Sequence, residues 1–178
     1  MIVVFETERL IVRHIDVEAD LESYFAMNSD PEVIHFIRSG KVIESLEKQR
    51  EELNALVERY ALRNNGSGGW PMVSKESNRV VGTAILNQIP LTGGELSDDW
   101  QVGWHLRRDC WGKGYATEVG KALLTHGFTV LKKPILHAVV DPLNHASRRV
   151  TERLGMTFIE RTSKYYDLEL DHFQKLPG

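Results

Sequence analysis

Two periods of apolar residues alternate along the chain, one matching strands and one matching helices. Arg9-Leu10-Ile11-Val12-Arg13-His14 is short and rich in β-branched residues, which predicts a first strand. Residues 16–28 turn helical, with Asp20 near the start. Ser29-Asp30-Pro31-Glu32 opens a further short helix, because proline suits a first helical turn. Across residues 44–63, Leu53, Leu56, Val57 and Tyr60 fall at i, i+3, i+4 and i+7, the apolar face of an amphipathic helix. Asn64-Asn65-Gly66-Ser67-Gly68-Gly69 reads as the clearest loop, a turn inside one domain covering residues 1–178. Beyond it, residues 71–75 and 80–89 predict two strands joined by Glu76-Ser77-Asn78-Arg79. Residues 91–99 read as a loop or ragged strand, and residues 100–106 as a strand. Ala116, Val119, Leu123, Leu124 and Phe128 mark a helix buried on one face, with Gly120 and Gly127 allowing close packing. Residues 135–140 form an apolar strand. Asn144 is placed to cap a helix carrying Ala146, Val150 and Leu154, and Gly155 to end it. Residues 156–161 and 165–170 predict a closing antiparallel pair.

Strand–helix–strand crossovers in the second half, with hairpins in the middle and at the end, predict a mixed α/β fold. Its twisted sheet would have about six to seven strands and helices on both faces.

Composition narrows the partners. At 178 residues, 42% of them hydrophobic and 26% charged, the chain can bury a substantial core. A net charge of −3 argues against dominant nucleic-acid binding, which calls for a basic stripe. Cys110 is the only cysteine, so no intrachain disulfide can form, as expected in a reducing cytoplasm. No apolar run approaches the roughly 20 residues that cross a bilayer. Met1-Ile2-Val3-Val4-Phe5 lacks the basic region of a secretory leader. The seven histidines show no metal-ligand spacing, and no metal is expected.

The chemistry concentrates in Trp111-Gly112-Lys113-Gly114-Tyr115-Ala116-Thr117-Glu118, at a strand-to-helix junction. Glycines there free backbone N–H groups to point outward, beside the positive end of the following helix. Such a loop suits a phosphate or pyrophosphate, although two glycines can equally serve a tight turn. A Walker-type loop fails, since Gly114 follows Lys113 and Arg107 stands where its first glycine belongs. A dinucleotide fingerprint is closer, with Asp141 at the end of the next strand as the ribose acid. It is weakened by Thr117 at the third small position and by Arg107-Arg108-Asp109-Cys110 intervening before the first glycine.

A third candidate is an acyl-coenzyme A loop, because here the chain resembles the GNAT-type N-acetyltransferases. The branch it resembles is that of the ribosomal-protein N-terminal (alanine) acetyltransferases. The likeness runs through Glu6-Thr7-Glu8-Arg9-Leu10-Ile11-Val12-Arg13, Ser29-Asp30-Pro31-Glu32-Val33, Val81-Gly82-Thr83, Val102-Gly103-Trp104-His105-Leu106, the glycine loop itself, Asn144-His145-Ala146-Ser147 and Leu154-Gly155-Met156. Trp111 stands where the superfamily usually has Gln or Arg, and Met156 where an aromatic is frequent. The resemblance implies a sheet whose central strands splay to form an acyl-CoA cleft. Direct transfer from acetyl-CoA to a primary amine would follow, on a protein N-terminus or a small molecule, in a ternary complex with no covalent enzyme intermediate.

It further implies that Trp111, Gly112, Lys113, Gly114, Tyr115, Ala116 and Thr117 hold the pyrophosphate. The N–H of Leu106 would serve pantetheine or the oxyanion, and Asn144 the pantetheine. Ser147 becomes the candidate acid for the thiolate, with Tyr165 and Tyr166 as rivals. Asp99, Asp98 and His105 are candidate bases, His105 having a suitable ordinary pKa of about 6.5. Each also has a plainer role: Asn144 as a helix cap, Ser147 as a first-turn residue, His105 as a core residue. A non-catalytic acyl-CoA sensor and a dinucleotide-binding enzyme remain as alternatives. An exposed sheet edge would leave a homodimer open.

Overall fold

A computed structural model describes residues 2–37 and 40–178. Met1, where the run weighed as a leader begins, lies outside them. Eight strands form a single sheet in the order β1-β2-β3-β4-β5-β6-β8-β7. They are β1 (Val3–Glu6), β2 (Leu10–Arg13), β3 (Gly68–Ser74), β4 (Val80–Pro90), β5 (Leu96–Leu106), β6 (Leu136–Val140), β7 (Thr157–Thr162) and β8 (Leu170–Lys175). Every neighbouring pair is antiparallel except β5 and β6.

Among the described residues, five α-helices cover the sheet. Helices α1 (Val17–Asn28), α2 (Pro31–Ile34) and α3 (Leu46–Arg63) precede β3, α4 (Tyr115–Thr129) joins β5 to β6, and α5 (His145–Arg153) joins β6 to β7. Strand alternation distributes the apolar residues between two faces. Leu10, Val12, Trp70, Met72, Leu86, Trp100 and Val102 pack with Val119, Leu123 and Leu124 of α4 and with Val150 of α5. Val73 and Val80 pack on the other face with Leu21, Tyr24, Val33 and Leu53. Methyl groups of Leu154 and Leu136 lie 2.7 and 2.6 Å from where a Cβ on Gly120 or Gly127 would stand, so both glycines do serve close packing.

The sheet differs from the sequence expectation in four places. An eighth strand, β1, occupies an edge of the sheet; its half-exposed residues carry too little alternation to signal it. Gly68 and Gly69 begin β3 instead of closing the loop. A Cβ on Gly68 would lie 2.0 Å from the Trp70 ring, so that glycine makes room for an indole rather than for a turn. Strand β5 begins at Leu96, within the stretch read as ragged. The closing pair is β7 with β8, and residues 165–168 form a turn. Tyr166 and Asp167 have φ of 58° and 56° there, while Tyr165 is fully buried with Ile89 and Leu170. Apolar side chains in that turn mimic a strand because they fill a small core of their own.

Candidate active site

The two central strands separate. Among the described residues the β5–β6 ladder holds a single bridge, Gln101↔His137. Beyond it the C-terminal half of β5 runs on with β4 alone, in register from Gln101 opposite Asn87 to Leu106 opposite Gly82. The N–H of Arg107 donates to the Val81 carbonyl. Because antiparallel pairing alternates, the N–H and C=O groups of Trp104 and Leu106 therefore turn away from β4 and towards the gap beside β6. The Leu106 carbonyl is taken by the Trp111 indole N–H at 3.0 Å, leaving the Leu106 N–H directed into the gap.

The glycine loop lies at the open end of this gap. Gly112 and Gly114 have φ of 74° and 81°, a region that other residues enter only with strain. Gly114 is the N-cap of α4 and supplies no side-chain hydrogen bond. The N-caps of α1, α2, α3 and α5 are Asp16, Asp30, Ser45 and Asn144, each accepting a backbone N–H with its side chain. The first turn of α4 thus keeps donors that its own cap does not occupy, at the positive end of a 15-residue helix. Nothing lies within 4 Å of a Cβ placed on Gly112, so the loop faces open space. A separate cleft of about 440 Å³ lies on the β4 side of the loop, where Arg79, Arg107 and Lys113 line it together with Glu76 and Asp109. Uncapped donors and open space in front of Gly112 together fit a pyrophosphate. The half-buried Asn144 accepts the Ser147 N–H at 3.0 Å, so its capping role is real. Ser147 is half-buried in the same first turn.

The candidate bases lie far apart. Gln101, Gly103 and His105 share the sheet face opposite Trp100, Val102 and Trp104, so His105 is half-buried outside the core beneath α4. Asp99 is six residues away along the strand, roughly 20 Å at the usual rise per residue. One amine cannot use both directly. Asp99 accepts hydrogen bonds from Lys164 Nζ at 2.7 Å and from the Tyr165 hydroxyl at 2.6 Å. Burial alone would raise its carboxyl, but those two bonds and the charges of His137 and Lys164 outweigh burial and hold it below its ordinary 3.8. Asp99 is consequently ionised near neutrality. The Tyr165 hydroxyl, committed to Asp99, is not free to protonate a thiolate elsewhere.

Sequence reasoning missed the groups around Asp99. His137 Nε2 lies 3.5 Å from Asp99 Oδ1, and His137 Nδ1 lies 2.9 Å from His172 Nε2. Both histidines are buried, and their nearest strand neighbours give no spacing that would mark them as a pair. Asp99 and His137 line a cleft of about 490 Å³ with Asp98, Gln88, Asn65 and Lys133. Next to it, Gln101 hydrogen-bonds Asn87 and the Tyr166 hydroxyl, and Asn87 bonds the Tyr60 hydroxyl. Helix α3, strands β4 and β5 and the β7–β8 connection thereby share one polar wall.

Cys110 is buried, and burial followed by the neighbouring Asp109 raises its thiol, so it is protonated and inert near neutrality.

The buried imidazoles give the fold a pH dependence. Burial lowers His126, His137 and His172 below 6.5; at His137 and His172 the attraction of Asp99 opposes this without reversing it. The unfolded chain therefore binds protons before the folded one as pH drops through about 6.5, and stability present above that pH is lost below it. The urea midpoint should fall between pH 7.5 and pH 5.5. A His137→Gln/His172→Gln variant, which removes two of the three depressed groups, should show a smaller fall. An unchanged pH dependence in this variant would mean that the pair carries no such linkage.

A family model described as an acetyltransferase (GNAT) domain matches residues 9–157. The chain is 28% identical over 149 residues to the uncharacterized N-acetyltransferase p20 of Bacillus licheniformis, covering 84% of this chain and 79% of that one. The crystal structure of an acetyltransferase from Agrobacterium tumefaciens matches with a TM-score of 0.78 at 24% identity, over 97% of this chain and 94% of that one. RimL, a ribosomal L7/L12 α-N-protein acetyltransferase in complex with coenzyme A, matches with a TM-score of 0.77 at 13% identity, over 98% of this chain and 97% of that one.

Proposed function

Since the chain belongs to the GNAT acetyltransferase family and is one of its N-acetyltransferases, we propose that it moves an acetyl group from acetyl-CoA to a primary amine by direct attack in a ternary complex. The observation that carries this reading is the uncapped start of α4, which faces open space at the mouth of the β5–β6 gap. The backbone N–H groups of residues 112–117 bind the pyrophosphate, with Lys113 adding charge and Trp111 holding the end of β5 through its indole. Pantetheine then runs along the free edge of β5 at Trp104 and Leu106, and Asn144 contributes its amide N–H₂ while its oxygen caps α5.

The amine enters from the cleft beside Asp99. An ammonium acceptor is drawn there by the ionised carboxylate, and His137, kept neutral by burial, takes its proton. The neutral amine attacks the thioester carbonyl where the gap opens beyond the Gln101–His137 bridge, an N–H on the free edge of β5 stabilises the oxyanion, and the thiolate leaves with a proton from Ser147. His105, on the loop side of the same strand, is the competing base. The acceptor is a protein N-terminus or a small amine, and the enzyme works in the cytoplasm as a single domain. The RimL likeness supports the first acceptor in fold alone.

Titration with acetyl-CoA beside desulfo-CoA and NADH tests the reading. Micromolar binding of acetyl-CoA without a response to NADH is expected, followed by acetylation of at least one member of a panel of N-terminal peptides and small amines. Ser147→Ala should lower kcat about tenfold or less, as befits a weak acid, with acetyl-CoA affinity kept. Binding without transfer to any amine, unaltered by Ser147→Ala, would leave an acyl-CoA sensor. Absence of coenzyme A binding would end the assignment.

A further inference from the structure

The N-terminal hairpin reaches the glycine loop. Arg9, just before β2, sends its Nη1 to the Lys113 carbonyl at 2.9 Å and its Nε to Glu118 Oε2 at 2.6 Å. Its backbone N–H donates to Glu118 Oε1 at 2.8 Å, and the Thr7 hydroxyl donates to the same oxygen at 2.5 Å. The guanidinium also lies 4.7 Å from the centre of the Tyr115 ring. These contacts join segments 104 to 111 residues apart in the chain. None of them follows from the role of a sheet-edge hairpin, which needs only its ladder.

Two physical consequences converge on the loop. In a trans peptide the C=O and the next N–H point in opposite directions. Holding the Lys113 carbonyl towards Arg9 therefore turns the Gly114 N–H away from Arg9, and this orientation accompanies the positive φ of Gly114. The second consequence is electrostatic. Glu118 sits in the first turn of α4, where an ionised carboxylate would repel an incoming pyrophosphate. Burial would raise that carboxyl, but the bonds from Thr7 and Arg9 outweigh it and keep Glu118 ionised. The Arg9 guanidinium then cancels its charge at contact distance.

We propose that Arg9 is a positioning residue for the coenzyme A pyrophosphate. By gripping the Lys113 carbonyl and the Glu118 carboxylate together, it presets the loop amides and neutralises the one acid in the first turn of α4. The inference rests on the acetyl-CoA reading above. A planar guanidinium can hold a carboxylate and a carbonyl at once, whereas a lysine ammonium is a single point charge on a flexible stem.

The test compares acetyl-CoA with S-acetyl-pantetheine, which keeps the thioester and lacks the pyrophosphate. Arg9→Ala should raise the acetyl-CoA Kd by about tenfold, the loss expected when one charge-assisted contact no longer preorganises the loop. Its kcat/KM with S-acetyl-pantetheine should stay within about twofold of wild type. Backbone amide exchange at residues 113–117 of the ligand-free variant should quicken. Arg9→Lys, which is less exposed to a folding failure, should fall between the two in acetyl-CoA affinity. Unchanged acetyl-CoA affinity in both variants would overturn the proposal, as would equal losses with both donors, the sign of general destabilisation. If wild type itself fails to bind acetyl-CoA, the acetyltransferase reading of this site fails and takes the positioning role with it.

Discussion

Replacing Gly114 by valine is expected to raise the acetyl-CoA Kd at least about a hundredfold, the largest functional loss of any single substitution in the loop. Gly114 has φ 81° and ψ 2°, and a β-branched residue there pays on the order of 1–2 kcal/mol or more in backbone strain. Its Cβ would also stand 3.4 Å from the Arg9 Nη2, displacing the group that holds the neighbouring carbonyl. Relief comes by rotating residue 114 out of the left-handed region, which swings the first N–H groups of α4 away from a common target. The oxygens of a pyrophosphate need several donors at once, so binding falls faster than stability. The melting temperature should drop only by roughly 5 °C, given about 2–4 °C per kcal/mol for a chain of this size. Gly112→Ala serves as the comparison. Its φ of 74° carries similar strain, but its Cβ enters open space and its side chain has no branch, so a loss of about fivefold is expected. Calorimetric titration of both variants reads the difference. Gly114→Val binding within about threefold of wild type would mean that the loop amides do not carry the pyrophosphate.

The largest expected loss of stability comes from Asp20→Ala. Asp20 is 1% exposed on α1 and receives both Arg13 guanidinium nitrogens, at 2.8 and 2.6 Å, as well as the Asp16 N–H at 2.9 Å. Arg13 is itself largely buried on β2. The pair ties helix α1 to the sheet on the side that carries α3 and its Tyr60, and so holds the polar wall near Asp99 in place. Removing only the acid leaves a buried cation and an unsatisfied N–H. Such breaks typically cost about 3–5 kcal/mol, which lowers the melting temperature by roughly 10 °C. Replacing both partners with apolar residues, as in Arg13→Met/Asp20→Leu, should recover much of the loss, because no charge is then left in the interior. Thermal melts of the two variants separate the cases. A single variant within about 2 °C of wild type would show that water reaches Arg13 and that the pair is not a buried one.

Short-range physics made much of the architecture legible. The caps of α1, α2, α3 and α5 all fall where Asp, Ser or Asn precedes an apolar period, and the positive φ of Gly155 follows from its place after α5. The glycine loop was readable because φ above zero is a property of single residues. Misreadings arose where one residue type serves two needs. Gly68 looked like a turn and was packing space for Trp70. Tyr165 and Tyr166 looked like a strand and were a turn with its own core. At the site, Asp99 was identifiable as an acid on the strand entering the gap, yet its chemistry was not. Lys164 and Tyr165 approach it from 65 and 66 residues away, and their hydrogen bonds hold its carboxyl ionised.

The amino-acid sequence by itself determined the helices, most of the strands and the glycine loop before α4, because caps, periodicity and glycine conformation are set within a few residues of chain. Only the tertiary structure decided which carboxylates are charged, which histidines are neutral and which arginine reaches the loop. Those properties depend on burial and on partners as far as 35 and 111 residues away, and electrostatic energy follows distance in space rather than distance along the chain.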